Sequence, residues 1–171
     1  MKQVIFSADD FGLSEAVNEG IERAHRDGIL QSASLMVGAP AADDAVRRAR
    51  AMPNLKVGLH LVVIEGPPAL PPSRIPDLLD PTGQFPSDQL RLGVNYFFRS
   101  SIRAQLAAEI RAQFAAFAAT GLKLDHANAH KHMHLHPTVG APLVRIGRAH
   151  GLRAVRVPAE PAPVLATCGT R

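Results

Sequence analysis

Short apolar segments alternate with helical segments along most of this chain, and this alternation constrains the fold more than any other feature. The apolar segments have the length and composition of buried strands and lie at 4–8, 29–37, 55–63, 122–128 and 152–157. Helical patterns lie at 14–28, 41–52, 100–121 and 138–150; the second ends before Pro53-Asn54, and the other three end at or directly before a glycine. Strands that alternate with helices pair in parallel through right-handed crossovers. The sequence therefore predicts an α/β fold with parallel, (β/α) barrel-like strands.

One proline-rich segment, 64–99, interrupts this alternation. Its prolines remove backbone donors and discourage regular structure; they are Pro67, Pro68, Pro71, Pro72, Pro76, Pro81 and Pro86. A loop of this length is either a lid or wall over a substrate, or a floppy insertion. We expect a single domain over 1–158 that contains this insertion, followed by a loose tail at 159–171.

The length of the chain predicts an unfinished barrel. A complete (β/α)8 barrel runs to about 250 residues, whereas this chain has 171 and five recognisable strands. We expect a barrel that is incomplete at its C-terminus. Its exposed sheet edges would favour a homodimer or aggregation.

Charge and cysteine content narrow the environment and the partners. A single cysteine, Cys168, excludes an internal disulfide framework and fits a reducing compartment. No signal-peptide pattern precedes the first strand, and no apolar run approaches the roughly 18 residues of a membrane span. The net charge of +4 comes from scattered basic residues without stacking aromatics among them. These features predict a cytoplasmic protein with no transmembrane segment and no nucleic-acid partner.

Histidines are concentrated in one short tract. Five of the eight lie between positions 126 and 136, and they are His126, His130, His132, His134 and His136. If the tract is extended, the even-numbered side chains from 130 onward share one face. Imidazoles on one face suit a transition metal such as zinc. The alternative is a surface histidine run or an incidental metal-scavenging tract.

An Asp-Asp pair ends the first predicted strand. Asp9 and Asp10 could divide two tasks, with one carboxylate binding a metal and its neighbour accepting a proton from the attacking water. Neighbouring side chains in a strand point to opposite faces, so a bend is needed, and the Phe11-Gly12 step could supply it. The alternative is a pair that caps the following helix at Ser14.

His60 stands at the end of the third predicted strand. A lone histidine in an apolar strand is usually a satisfied core residue. Its position changes that expectation, because the carboxyl ends of parallel strands meet at one rim, where Asp9-Asp10 and the histidine tract also fall. An aspartate and two histidines leave coordination positions open, as a catalytic metal requires. The sequence therefore predicts a metal-dependent hydrolase.

Three motifs together resemble the YdjC-like carbohydrate deacetylases, which include the chitooligosaccharide deacetylases. They are Ser7-Ala8-Asp9-Asp10-Phe11-Gly12-Leu13-Ser14, Gly58-Leu59-His60-Leu61, and Asn128-Ala129-His130-Lys131-His132-Met133-His134-Leu135-His136-Pro137. The amino-acid sequence of the third motif is most similar to that of the branch associated with hopanoid biosynthesis, HpnK. One departure is Asn128, where many members have aspartate.

The resemblance implies a deformed barrel, one divalent ion, with Mg2+ and Zn2+ the leading candidates, and an N-acetylated carbohydrate or glycolipid substrate. It matches Asp10, His60 and His130 to the metal ligands and Asp9 to the general base. His132 and His134 match the histidine-rich strand end and join Asp9 as catalytic candidates without individual roles.

Two other functions stay open at this point. One is a different metal-dependent hydrolase, a phosphoesterase or an amidohydrolase, although those classes usually place His-x-His at the end of the first strand. The other is a non-catalytic, truncated homologue that only binds metal.

Overall fold

Four parallel strands form one sheet in the order β1-β2-β3-β4. The structure, a computed structural model, describes residues 4–159 of the chain. The strands are β1 (Ser7–Phe11), β2 (Ser32–Leu35), β3 (Lys56–Leu61) and β4 (Ala127–Ala129). Each strand pairs in parallel with the next one along the sequence. The predicted α/β class with parallel strands is confirmed.

Within the described part of the chain, five α-helices accompany the sheet. They are α1 (Glu15–Arg26), α2 (Ala42–Arg50), α3 (Gln89–Phe98), α4 (Ser100–Ala119) and α5 (Pro137–Ala149). The buried face of α4 is formed by Ile102, Leu106, Ile110, Phe114 and Phe117. Among the described residues, no helix is both long and apolar enough to cross a membrane.

The first and last predicted strands need correction. Strand β1 occupies Ser7–Phe11 rather than 4–8, and Val4 and Ile5 are exposed. The strand extends past both aspartates to Phe11, and its register with β2 is interrupted between Ala8 and Phe11. The predicted fifth strand, 152–157, makes only an isolated parallel bridge, between Val155 and Ala127.

The proline-rich segment 64–99 contains more regular structure than predicted. Two 3₁₀ turns, Pro72–Arg74 and Pro76–Leu78, precede helix α3. The prolines end at Pro86, and the Asp88 side chain then caps α3 by accepting a hydrogen bond from the Arg91 amide. The segment packs onto the domain through buried apolar side chains, namely Ile75, Leu78, Phe85, Leu92 and Tyr96. The predicted tail and Cys168 lie outside the described residues, except for Ala159.

A buried asparagine on α1 fixes the turn that follows β1. The Asn18 side chain is fully buried and accepts a hydrogen bond from the Gly12 amide at 2.7 Å. Its amide group donates to the Ala41 carbonyl at 3.0 Å and to the Asp44 carboxylate at 2.8 Å. Gly12 has a φ of 100°, which a residue with a side chain rarely adopts. Asn18 therefore ties the ends of β1 and α2 together beneath the rim.

We expect Asn18→Ala to lower the free energy of unfolding by about 1–3 kcal/mol, because it leaves buried hydrogen-bonding groups without their partner. Urea denaturation followed by circular dichroism measures this loss. Asn54→Ala is the matched control at an exposed position, with an expected change within about 0.5 kcal/mol. Equal stability of the two variants would contradict the anchoring role of Asn18.

Candidate metal centre

Three side chains from separate segments meet at the carboxyl end of the sheet. The Asp10 Oδ1 atom lies 3.2 Å from His60 Nε2 and 3.1 Å from His130 Nδ1. The two histidine nitrogens are 3.3 Å apart. His60 is buried, whereas the Asp10 and His130 side chains are partly exposed. The cluster is therefore fixed on its inner side and open to solvent on its outer side.

A bulge in β1 brings Asp10 into this cluster. Ala8 pairs with Ala33 and Phe11 with Leu35, so β1 contains one residue more than β2 between these pairs. Asp10 takes up the extra residue with a left-handed backbone, φ 60°. The chain thus bends at Asp10 itself, and the predicted Phe11-Gly12 step adds a turn directly after it, with Gly12 at φ 100°.

The donor set of the cluster fits a divalent cation. Ligand atoms about 2.0–2.2 Å from one ion lie roughly 3 Å from one another in a tetrahedral or octahedral shell. The three separations of 3.1–3.3 Å match that spacing. One carboxylate with two imidazoles suits zinc and several other divalent metals. The side chains of Asp10, His60 and His130 could thus hold one ion, and three protein ligands would leave further coordination positions open.

An asparagine sets the orientation of the His60 ring. Asn128 donates from Nδ2 to Asp9 Oδ1 at 2.9 Å, which turns its carbonyl oxygen toward His60 Nδ1 at 2.7 Å. His60 Nδ1 must therefore carry a hydrogen, and in the neutral ring the lone pair is on Nε2, facing Asp10. Such a hydrogen bond to the distal nitrogen fixes a metal-binding imidazole. A proton on Nε2 and a bound cation would compete for the same position.

The Asp10 carboxyl is held in its charged form. When the His60 ring carries a hydrogen on both nitrogens, its Nε2–H donates to Asp10. This hydrogen bond lowers the pKa of Asp10 most, and the nearby charges of His60 and His130 lower it further. Burial and the charge of Asp9 oppose this effect without reversing it. A carboxylate that stays ionised is ready to bind a cation at neutral pH.

Arg156 is a residue of the site that no sequence pattern predicts. Its guanidinium grips the Asp9 carboxylate with two hydrogen bonds, Nη1 to Oδ1 at 2.9 Å and Nη2 to Oδ2 at 2.5 Å. Burial raises the pKa of Asp9, but hydrogen bonds from Arg156 and Asn128 and the charges of His60 and Arg156 bring the net pKa below its usual value. Asp9 is thus an ionised carboxylate of fixed orientation beside the cluster.

The histidine tract is not extended, so the predicted common face is wrong. Residues His130–Leu135 form 3₁₀ turns, with left-handed backbones at Lys131 and His132. The His132 side chain is exposed, whereas His134 is buried and its Nε2 lies 2.8 Å from the Arg156 carbonyl oxygen. Burial lowers the pKa of His134 and favours its neutral form. Its contact with the Arg156 backbone leaves His134 beneath the site and His132 at the surface.

The remaining histidines lie elsewhere. His126 hydrogen-bonds with Ser34 Oγ at 3.0 Å, and its ring covers Gly58 so closely that a Cβ there would lie 2.6 Å from it. His136 contacts the hydroxyl of Thr138 at the start of α5. His25 is half-buried against the Leu30 carbonyl, and His150 is exposed.

The chain matches the YdjC-like protein family over residues 3–171. A carbohydrate deacetylase from Brevibacillus brevis is 41% identical over 137 residues, which cover 80% of this chain and 52% of that protein. A carbohydrate deacetylase from Vibrio cholerae is 41% identical over 143 residues, which cover 83% of this chain and 53% of that protein. The chain therefore spans about half the length of the curated relatives it matches.

Solved structures share the fold. A candidate cellobiose-phosphate cleavage protein from Enterococcus faecalis is similar with a TM-score of 0.78 and 26% identity, over 97% of this chain and 62% of that one. A lactam utilization protein from Thermus thermophilus has a TM-score of 0.56 at 21% identity, over 92% of this chain and 59% of that one, and shows the fold alone. These likenesses agree with the predicted barrel-like arrangement of parallel strands.

We expect Asn128→Ala to weaken the binding of Zn2+ by roughly 10–100-fold, because His60 loses the hydrogen bond that fixes its tautomer and ring orientation. Isothermal titration calorimetry with the purified chain measures the dissociation constant. Asn95→Ala, on the partly exposed side of α3, is the control with unchanged affinity. Wild-type affinity in Asn128→Ala would show that His60 does not depend on this amide.

Proposed function

The chain belongs to the YdjC-like family, and from this we propose that it is a metal-dependent deacetylase that hydrolyses the N-acetyl group of an amino sugar. The observation that carries the proposal is the division of labour between two consecutive carboxylates. Asp10 faces the two histidines of the cluster, whereas Asp9 is gripped by Arg156 and Asn128. One carboxylate is thus free to bind a cation while the other is positioned to accept a proton.

The bound cation would supply Lewis acidity, lowering the pKa of water and polarising the acetyl carbonyl. Asp9 would take the proton of the attacking water, and Arg156 and Asn128 would hold its carboxylate in place during that transfer. The leaving amine then needs a proton. His132 is better placed for this step than His134, because His132 is exposed while His134 is buried against the Arg156 backbone.

The substrate follows from the relatives. Proteins at 41% identity are carbohydrate deacetylases, which supports an N-acetylated sugar for this chain. The histidine tract has the sequence His-Lys-His-x-His-Leu-His-Pro, which resembles the hopanoid-associated branch of the family. This resemblance favours a glycolipid, such as a hopanoid-linked sugar, as one form of that substrate. We further propose Mg2+ or Zn2+ as the ion, a single catalytic domain over 1–158 and a cytoplasmic location.

The two alternative functions make different predictions. A phosphoesterase or amidohydrolase would use the same cluster but hydrolyse phosphomonoesters or other amides. A non-catalytic homologue would bind metal and be indifferent to Asp9. Arg156 holds the Asp9 carboxylate in a fixed orientation beside the cluster although Asp9 is not one of its three candidate ligands, and this favours the deacetylase over a purely metal-binding role.

We expect Asp9→Asn and His60→Ala to abolish acetate release in different ways. Asp9→Asn removes the base and should lower kcat by about a hundredfold or more while metal stays bound. His60→Ala removes a ligand and should also reduce metal content. Acetate released from a panel of N-acetylated glycans and metal bound per chain are the two measurements. Asp27→Asn, at the exposed end of α1, is the control, and full activity in Asp9→Asn would refute the assignment.

We expect Arg156→Lys to lower kcat about tenfold with little change in metal affinity. A lysine keeps the positive charge but cannot make the paired hydrogen bonds that orient Asp9. Arg153→Lys makes the same change at an exposed position three residues earlier and should leave kcat unchanged. Equal kcat values for the two variants would show that charge alone, rather than orientation, is what Asp9 needs.

A further inference from the structure

We propose that Glu65 and Lys131 form a polar subsite that binds hydroxyl groups of a neutral sugar beside the candidate metal centre. The inference rests on the proposed function and names the residues that would hold the sugar. The two side chains form an ion pair that links the segment after β3 to the segment after β4. Glu65 follows β3, which contains His60, and Lys131 directly follows His130, so the pair lies at the same carboxyl edge of the sheet as the proposed metal ligands.

The backbone of both residues is strained. Among the described residues, four non-glycine residues have a positive φ, and these are Asp10, Glu65, Lys131 and His132. Asp10 is the last residue but one of β1, and the other three follow β3 or β4 within four residues, so all four lie at the carboxyl edge of the sheet, where the metal cluster lies. A left-handed backbone is costly for a residue with a side chain, and such residues concentrate at functional sites.

The stabilisation that the ion pair contributes does not compensate for this backbone strain. The Glu65 and Lys131 side chains are 49% and 40% exposed. Exposed pairs of this kind contribute little, since water screens them and two long side chains must be ordered. Two left-handed residues destabilise the fold by more than one exposed ion pair stabilises it. A role in binding accounts for the geometry where stability does not.

Buried side chains fix the backbone just before Glu65 in the sequence. Gln113 hydrogen-bonds both backbone groups of Val62, accepting from its amide at 2.9 Å and donating to its carbonyl at 2.6 Å. The Tyr96 hydroxyl donates to the Val63 carbonyl at 2.6 Å. Both side chains are almost completely buried.

A buried carboxylate fixes the backbone that follows Glu65 in the sequence. Glu109, which is fully buried, accepts hydrogen bonds from the amides of Ala69 at 2.7 Å and Leu70 at 3.0 Å. Gln113 donates a further hydrogen bond to Glu109 at 2.7 Å. Glu65 is therefore fixed from both sides, as preorganised binding of a ligand requires.

The chemistry of the pair selects a neutral polyol. A carboxylate accepts and an ammonium donates, so adjacent sugar hydroxyls can bond to both groups at once. Lys131 alone would attract a phosphate, but the neighbouring carboxylate opposes an anion. We therefore infer that the subsite favours an uncharged N-acetylated sugar over its phosphorylated form.

The test measures binding separately from turnover. The β-1,4-linked N-acetylglucosamine disaccharide and its 6-phosphate are titrated into the Zn2+-loaded chain by calorimetry, and acetate release is followed in parallel. Glu65→Ala and Lys131→Ala should each weaken disaccharide binding and raise KM about tenfold, with kcat nearly unchanged. Glu19→Ala and Arg26→Ala make the matched changes on the exposed surface of α1 and should alter neither quantity.

A second pair of variants separates binding from folding. Glu65→Gly and Lys131→Gly relieve the left-handed backbone, so they should raise the melting temperature while weakening the disaccharide as strongly as alanine does. Unchanged affinity in both alanine variants, tighter binding of the 6-phosphate, or no disaccharide binding by the wild type would each overturn the subsite. Binding that depends on Glu65 and Lys131 without any acetate release would support the subsite and refute the deacetylase instead.

Discussion

The bulge at Asp10 is the feature on which the whole site depends. In a regular strand, two consecutive carboxylates would point to opposite faces of the sheet, and only one could serve the rim. The extra residue in β1 turns Asp10 toward His60 and His130 and leaves Asp9 facing Asn128 and Arg156. Two neighbouring residues of the same type thereby acquire different surroundings. A carboxylate that could bind a cation and a carboxylate that could accept a proton are the result.

Asn128 joins these two halves, and its amide has a direction that a carboxylate lacks. An amide can donate to the ionised Asp9 and accept from His60 at the same time, and the structure uses both groups. An aspartate at this position could accept from His60 but could not donate to Asp9. The ionised Asp9 would then face a second negative charge. With asparagine, Arg156 needs to neutralise only the charge of Asp9. A continuous series of hydrogen bonds then joins Arg156, Asp9, Asn128 and His60 without placing two negative charges side by side.

Much of the fold and part of the site follow from sequence patterns, and the reasons for the rest are physical. The alternation of strands and helices predicted the parallel sheet, and the carboxyl ends of parallel strands predicted that Asp10, His60 and the histidine tract would lie close together. Arg156 escaped prediction because it lies 147 positions from Asp9 and stands in no local pattern. Helix α3 was missed because its neighbours are prolines, although Asp88 caps it just after the last of them.

The histidine tract shows a different limit, because its prediction assumed an extended backbone. Left-handed turns at Lys131 and His132 separate side chains that alternation would have placed together. Two of the strained residues of the rim, Asp10 and Glu65, share one arrangement: buried polar side chains fix the backbone close to them. Asn18 fixes the turn after Asp10, and Glu109 with Gln113 fixes the segment around Glu65. These anchors offset the strain, since a backbone held by buried hydrogen bonds cannot relax without leaving polar groups unpaired. A rim built in this way keeps its geometry before any ligand arrives, so the binding of a ligand does not have to order it.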